Sequence, residues 1–256
     1  MLESTLQPVS DELRERRERV FITLAAFFLC AMTLLNVVGI TRFIQLGPLA
    51  LAVGVLPYPL TFLCTDLICE LYGHKRANFL VTLGLALNAF IILFLYIGQA
   101  VPAVGPEATP PWQAIELAES LSLPNGSSVS GTVELFSLLY ACTSGAVYAS
   151  MVAYMAAQYC DVKLFHFWKR VTKGKYLWVR NNFSTLISQM VDSIAVVGVT
   201  FGATWLSGGI STSTLLTLVG SNYAFKALCA ALDTGPFYFL VAKLKRYLEI
   251  DNLKVA

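Results

Sequence analysis

Pro57-Tyr58-Pro59-Leu60-Thr61-Phe62-Leu63-Cys64-Thr65-Asp66-Leu67-Ile68-Cys69-Glu70-Leu71-Tyr72-Gly73-His74-Lys75-Arg76 is an apolar run that opens on two prolines, carries two carboxylates and closes on a glycine and a basic cluster. Asp66 and Glu70 stand four residues apart, the spacing that puts two side chains on one face of a helix. In a soluble protein such a pair would be an ordinary solvated face. Here the surroundings are oil-like. Of 256 residues, 56% are hydrophobic and 13% charged, where soluble domains carry about 25% charged residues. Several apolar runs reach about 18 residues or more, long enough to cross a bilayer. The fold class that follows is an all-α membrane protein.

Six spans are predicted, near 20–40, 48–72, 77–100, 133–160, 183–206 and 213–243. The second is expected to be interrupted near Pro57 and Pro59, whose missing N–H groups free carbonyls just before the acidic turn. The run from Val20 to Ile40 is too long for a signal-peptide core and has no small-residue cleavage site, so it reads as a retained span. The sequence then divides into an N-terminal segment 1–19, a six-helix domain 20–246 with a long connection 101–132, and a tail 247–256.

Basic residues set the orientation. Arg14, Arg16, Arg17 and Arg19, then Lys75 and Arg76, then Lys163, Lys169, Arg170, Lys173, Lys175 and Arg180, then Lys243, Lys245, Arg246 and Lys254 all fall on one side of the predicted spans. Arg42 falls on the other side and Lys226 inside a span. The positive-inside rule therefore places both termini in the cytoplasm. The outside connection 101–132 contains no Lys or Arg; Trp112 to Leu121 within it is expected to form a short helix at the membrane surface. The inside connection 161–182, with Trp168 and Trp178 among its basic residues, reads as an interfacial linker. Gly145, Ala149, Ala153 and Ala157 recur every four residues, a small-residue stripe that lets helices approach closely, within the chain or across a homodimer.

Five ionisable residues lie inside the spans: Asp66, Glu70, Asp192, Lys226 and Asp233. An unpaired charge at a helix centre costs about 2.5–3.5 kcal/mol on insertion scales, so a structural role alone rarely sustains five. Ser184, Thr185, Ser188, Gln189 and Asp192 form a polar stripe in the fifth span; Asn222, Lys226 and Asp233 form another in the sixth. Measured at about 1.5 Å per residue from the flanking basic residues, the acids are expected at overlapping depths around one wet hollow. Four acids against one intramembrane cation suit a cationic or hydrogen-bond-donating solute, or a proton relay.

Some chemistry is absent. There is no phosphate-binding G-x-x-x-x-G-K-[ST] loop, no H-E-x-x-H and no G-x-S-x-G, so neither a P-loop ATPase nor an intramembrane hydrolase is indicated. Cys30, Cys64, Cys69, Cys142, Cys160 and Cys229 form no C-x-x-C pair and read as small buried hydrophobes. No cofactor, metal or nucleic-acid partner is implied. The partners expected are a small solute and the lipid bilayer.

Tyr58-Pro59-Leu60-Thr61-Phe62, Asp66, Glu70, Tyr72-Gly73 and Lys75-Arg76-Ala77 resemble the signature of the queuosine-precursor transporters, also called the vitamin uptake transporter family. Arg180-Asn181-Asn182, Ser184-Thr185, Ser188-Gln189 and Asp192 are similar to that family's second motif, and Tyr223, Lys226, Asp233-Thr234 and Pro236 to its third; Asn36 fits as well. The resemblance implies a multi-pass protein of the inner (plasma) membrane, not an enzyme, that imports 7-deazaguanine bases (the preQ0, preQ1 and queuine class) for salvage into tRNA modification. A guanine-like edge offers an amino group and a ring N–H to a carboxylate, while Asn or Gln can serve its carbonyl. The expected substrate contacts are Asp66, Glu70, Gln189, Asp192, Asn36 and Asn222, with Lys226, Asp233, Arg180 and Ser188 as coupling or supporting residues. The alternative is a substrate-capturing subunit of an energy-coupling-factor system, which also has six spans and no ATPase of its own.

Overall fold

The computed structural model describes residues 10–105, 107–123, 128–171 and 177–250, with the backbone alone at 74, 122, 146, 157–166, 168–170 and 177–185. Among the described residues, six helices are long and apolar enough to cross a membrane. They are α1 (Asp11–Val37), α2 (Tyr58–Tyr72), α3 (His74–Ala100), α4 (Leu135–Val171), α5 (Leu177–Leu206) and α6 (Thr212–Tyr247).

α1 starts well before the apolar run because Ser10 caps it, its Oγ accepting from the Leu13 N–H, and because Asp11 and Glu12 sit in the first turn, where the helix dipole favours acids. Residues 11–19 are thus a helical extension of the first span.

The chain does not run straight from α1 into a second span. Phe43–Leu46 (β1) and Leu49–Ala52 (β2) form an antiparallel hairpin with Phe43 opposite Ala52. A short 3-10 turn, Val53–Val55, follows. The hairpin is pinned to the end of α1 through two glycines: Gly54 N–H donates to Gly39 O at 3.0 Å, and a Cβ on Gly54 would stand 2.6 Å from Gly39 Cα. Only glycine permits that approach.

Pro57 is the N-cap of α2 and Pro59 lies in its first turn, where a missing N–H costs nothing. Residues 49–52, expected in the second span, are strand, so the α-helix begins at the prolines. Gly73, with φ 83°, ends α2 and lets α3 start at the next residue.

The connection beyond α3 differs from expectation as well. Ala114–Ser122 (β3) and Ser128–Glu134 (β4) pair antiparallel, with Ile115 opposite Val133 and Leu117 opposite Gly131. The surface helix expected over Trp112 to Leu121 is therefore a short 3-10 turn, Pro111–Gln113, followed by strand from Ala114. Ile115 and Leu117 alternate with polar Glu116, a period of two that suits a strand, with Ile115 opposite Val133 and Leu121 opposite Val129. Asn125-Gly126-Ser127, which reads as a turn in the sequence, lies outside the described residues.

At the far side, α4 continues to Val171 and α5 begins at Leu177, so most of the expected linker 161–182 is helix. Ala149 and Ala153 are wholly buried, which places that part of the small-residue stripe within the fold. α2 packs on α1 and α6, and α5 lies between α4 and α6. Leu67, Leu71 and Leu248 form one apolar cluster, and Phe28, Cys64, Ile68, Ala77 and Leu80 another.

Candidate functional site

Two proline-started and glycine-pinned elements leave a hollow beneath the hairpin. A cavity of about 100 Å³, room for several waters, is bounded by the end of α1, the β1–β2 hairpin, the 3-10 turn, Tyr58, and one face each of α5 and α6. Among the described residues its polar wall is Asn36, Tyr58, Ser150, Thr200 and Asn222, with no charged residue. Asn36 Nδ2 donates to Asn88 Oδ1 and to Met32 O, each at 3.0 Å. Asn36 thus ties α1 to α3 while facing the hollow. Thr200 Oγ1 and Asn222 Oδ1 are buried with no hydrogen-bond partner among the described residues.

One helical turn beyond Asn222 lies Lys226. Its side chain is wholly buried and forms an ion pair with Asp192, whose side chain is 16% exposed. Lys226 Nζ also stands 4.7 Å from the centroid of the Tyr58 ring, a cation–π contact. A buried lysine is tolerated only with its charge matched, and here a carboxylate and an aromatic face do so together. Tyr58, Lys226 and Asp192 make a floor directly under the neutral cavity.

The other predicted residues lie further toward the basic end. Asp66, two turns past Tyr58, is within electrostatic reach of Asp233. Asp233 Oδ2 is buried without a partner, and neither acid has an ion-pair partner among the described residues. Glu70 pairs with Lys245 near the end of α6, its side chain 44% exposed. Ser188 is buried and Gln189 half-buried, one turn before Asp192. The Arg180 side chain lies outside the described part, as does that of His74.

None of the acids is among the described residues that line the cavity. They occupy three levels: Asp192 under the cavity, Asp66 with Asp233 below it, and Glu70 at the basic end. Sequence reasoning also missed Thr200 and Lys245. Thr200 could have been found as the polar residue eight positions after Asp192, on the same side of α5.

The profile of the family described as "Putative vitamin uptake transporter" matches residues 52–241. A protein of Bacillus subtilis (strain 168) named "Probable queuosine precursor transporter" is 25% identical over 199 residues, 73% of this chain and 76% of that protein. No solved structure matches the chain. The matched range contains all five intramembrane ionisable residues and four of the five polar residues of the cavity wall; Asn36 precedes it.

Proposed function

Because this chain belongs to the vitamin uptake transporter family, we propose that it imports a 7-deazaguanine precursor of queuosine across the plasma membrane as a secondary transporter, without chemical change to the solute. The observation that carries this reading is the neutral cavity set directly over the buried Lys226–Asp192 pair. The cavity is the resting place of the base. Asn36 and Asn222 meet its polar edge, and the Tyr58 ring offers a stacking face.

Below it, the Lys226–Asp192 pair blocks the way to the basic end. Passage requires the pair to part, and the base can lend Asp192 a hydrogen bond as it does so. Gln189, Asp66 and Glu70 then line the second half of the route, with Asp233, Ser188 and Arg180 beside it. Asp66 and Asp233, with no ion-pair partner among the described residues, are the place where a proton or the base's own donors would be accepted.

The test is salvage. Cells unable to synthesise 7-deazaguanines should take up labelled base when they carry the wild-type chain and lose uptake with Asp192→Asn expressed at the same level. Undiminished uptake by that variant would overturn the site assignment. Uptake into vesicles free of nucleotide is expected too; strict dependence on ATP and on partner subunits would favour the energy-coupling-factor alternative.

A further inference from the structure

We propose that Thr200 and Asn222 read the polar edge of an uncharged planar heterocycle, so that the cavity takes a neutral 7-deazaguanine in preference to a cationic aminomethylated one. This rests on the substrate class proposed above and adds to it a charge preference and a reading residue, Thr200.

Thr200 is 6% exposed and Asn222 9%. Buried polar atoms are ordinarily hydrogen-bonded, yet Thr200 Oγ1 and Asn222 Oδ1 both lack a partner among the described residues, and both residues line the same cavity. For the threonine this is unusual within the molecule itself. Thr33, Thr82, Thr217 and Thr234 each donate to the carbonyl four residues earlier on their helices, whereas Thr200 makes no such bond. A hydroxyl can donate or accept and an amide oxygen accepts. Held on neighbouring helices, the two suit an edge that sets N–H donors beside a carbonyl or ring nitrogen.

The remainder of the wall selects shape and charge. Leu35, Val55 and Val197 are apolar. Phe43 and Phe201, their ring centroids 5.9 Å apart, add aromatic surface for a flat ring. No carboxylate lines the cavity among the described residues, and the one below it, Asp192, is already matched by Lys226. A cationic solute entering here would shed water without gaining a counter-charge, which is costly. A neutral one pays no such penalty.

The experiment is equilibrium binding to the purified full-length protein at neutral pH, with 7-cyano-7-deazaguanine as the uncharged probe and 7-aminomethyl-7-deazaguanine as the cationic one. The neutral base is expected to bind at least about tenfold more tightly. Thr200→Val should weaken that binding by roughly tenfold, the worth of one hydrogen bond, while Thr200→Ser retains it. Ligand-free Thr200→Val should melt no lower than wild type, because it removes a hydroxyl that has no partner. Equal or tighter binding of the cationic base would overturn the charge preference and leave the transport reading standing. Unchanged binding by Thr200→Val, or a lower melting temperature with unchanged binding, would overturn the role given to Thr200. If the wild type binds neither base, the proposed function falls, and this inference with it.

Discussion

The two ends of the molecule treat their polar groups in opposite ways. At the hairpin end, Thr200 Oγ1 and Asn222 Oδ1 face a hollow with no hydrogen-bond partner among the described residues. At the basic end, polar groups are spent on ties between distant parts of the chain. Arg17 donates to Leu248 O at 2.9 and 3.1 Å and to Glu249 O at 3.2 Å. The Tyr72 hydroxyl donates to Arg17 O at 2.8 Å, Arg76 pairs with Glu18 at 2.9 Å, and Glu70 pairs with Lys245. These contacts join the start of α1, the α2–α3 corner and the end of α6. Among the described residues, α1, α2, α3 and α6 are thus tied together where basic residues gather, and the hollow lies where the hairpin sits, with Lys226–Asp192 between.

The largest effect is expected at the boundary between the two regions. Lys226→Met leaves Asp192 buried and unmatched and should cost about 3–5 kcal/mol, read as a fall in melting temperature in detergent. Pairing it with Asp192→Asn should restore most of the stability and none of the uptake. A single variant as stable as wild type would remove the pair from its place as the joint.

Next is the hollow itself. Gly54→Ala pushes a Cβ to 2.6 Å from Gly39 Cα; prying the hairpin from α1 should cost about 1–3 kcal/mol and weaken binding of the base. Binding that survives intact would show the hairpin is no part of the cavity's roof. At the basic end, Arg17→Ala removes hydrogen bonds to two carbonyls and should cost about 1–2 kcal/mol while leaving binding unchanged. Smallest is Glu70→Gln. Its pair with Lys245 is substantially exposed, so the stability change should stay below about 1 kcal/mol, and any loss of salvage would report on passage rather than folding.

The spans were legible because about 20 apolar residues in a row admit few other readings. Lys226 and Asp192 were legible because charge in oil is expensive and must be answered. What answers it was not. Lys245 looked like one more basic residue at a membrane edge, and only tertiary structure brings it to Glu70, 175 residues away. The β1–β2 hairpin was hidden because Leu49 to Val55 is apolar throughout, with no period to separate strand from helix. The cavity depends on that hairpin and on Gly39 and Gly54 meeting, so it was invisible too. Thr200 escaped notice because a threonine in a membrane helix ordinarily bonds its own backbone, and the sequence gives no sign that this one does not.

The most direct test of the account is to measure binding of 7-cyano-7-deazaguanine to two variants that retain the fold, Asn222→Ala in the hollow and Glu70→Gln at the tied end. Loss of about tenfold or more in affinity for Asn222→Ala, with affinity kept in Glu70→Gln, is the predicted result. The reverse pattern would contradict it, placing the passenger among the acids of the basic end and leaving the hollow beneath the hairpin without a role.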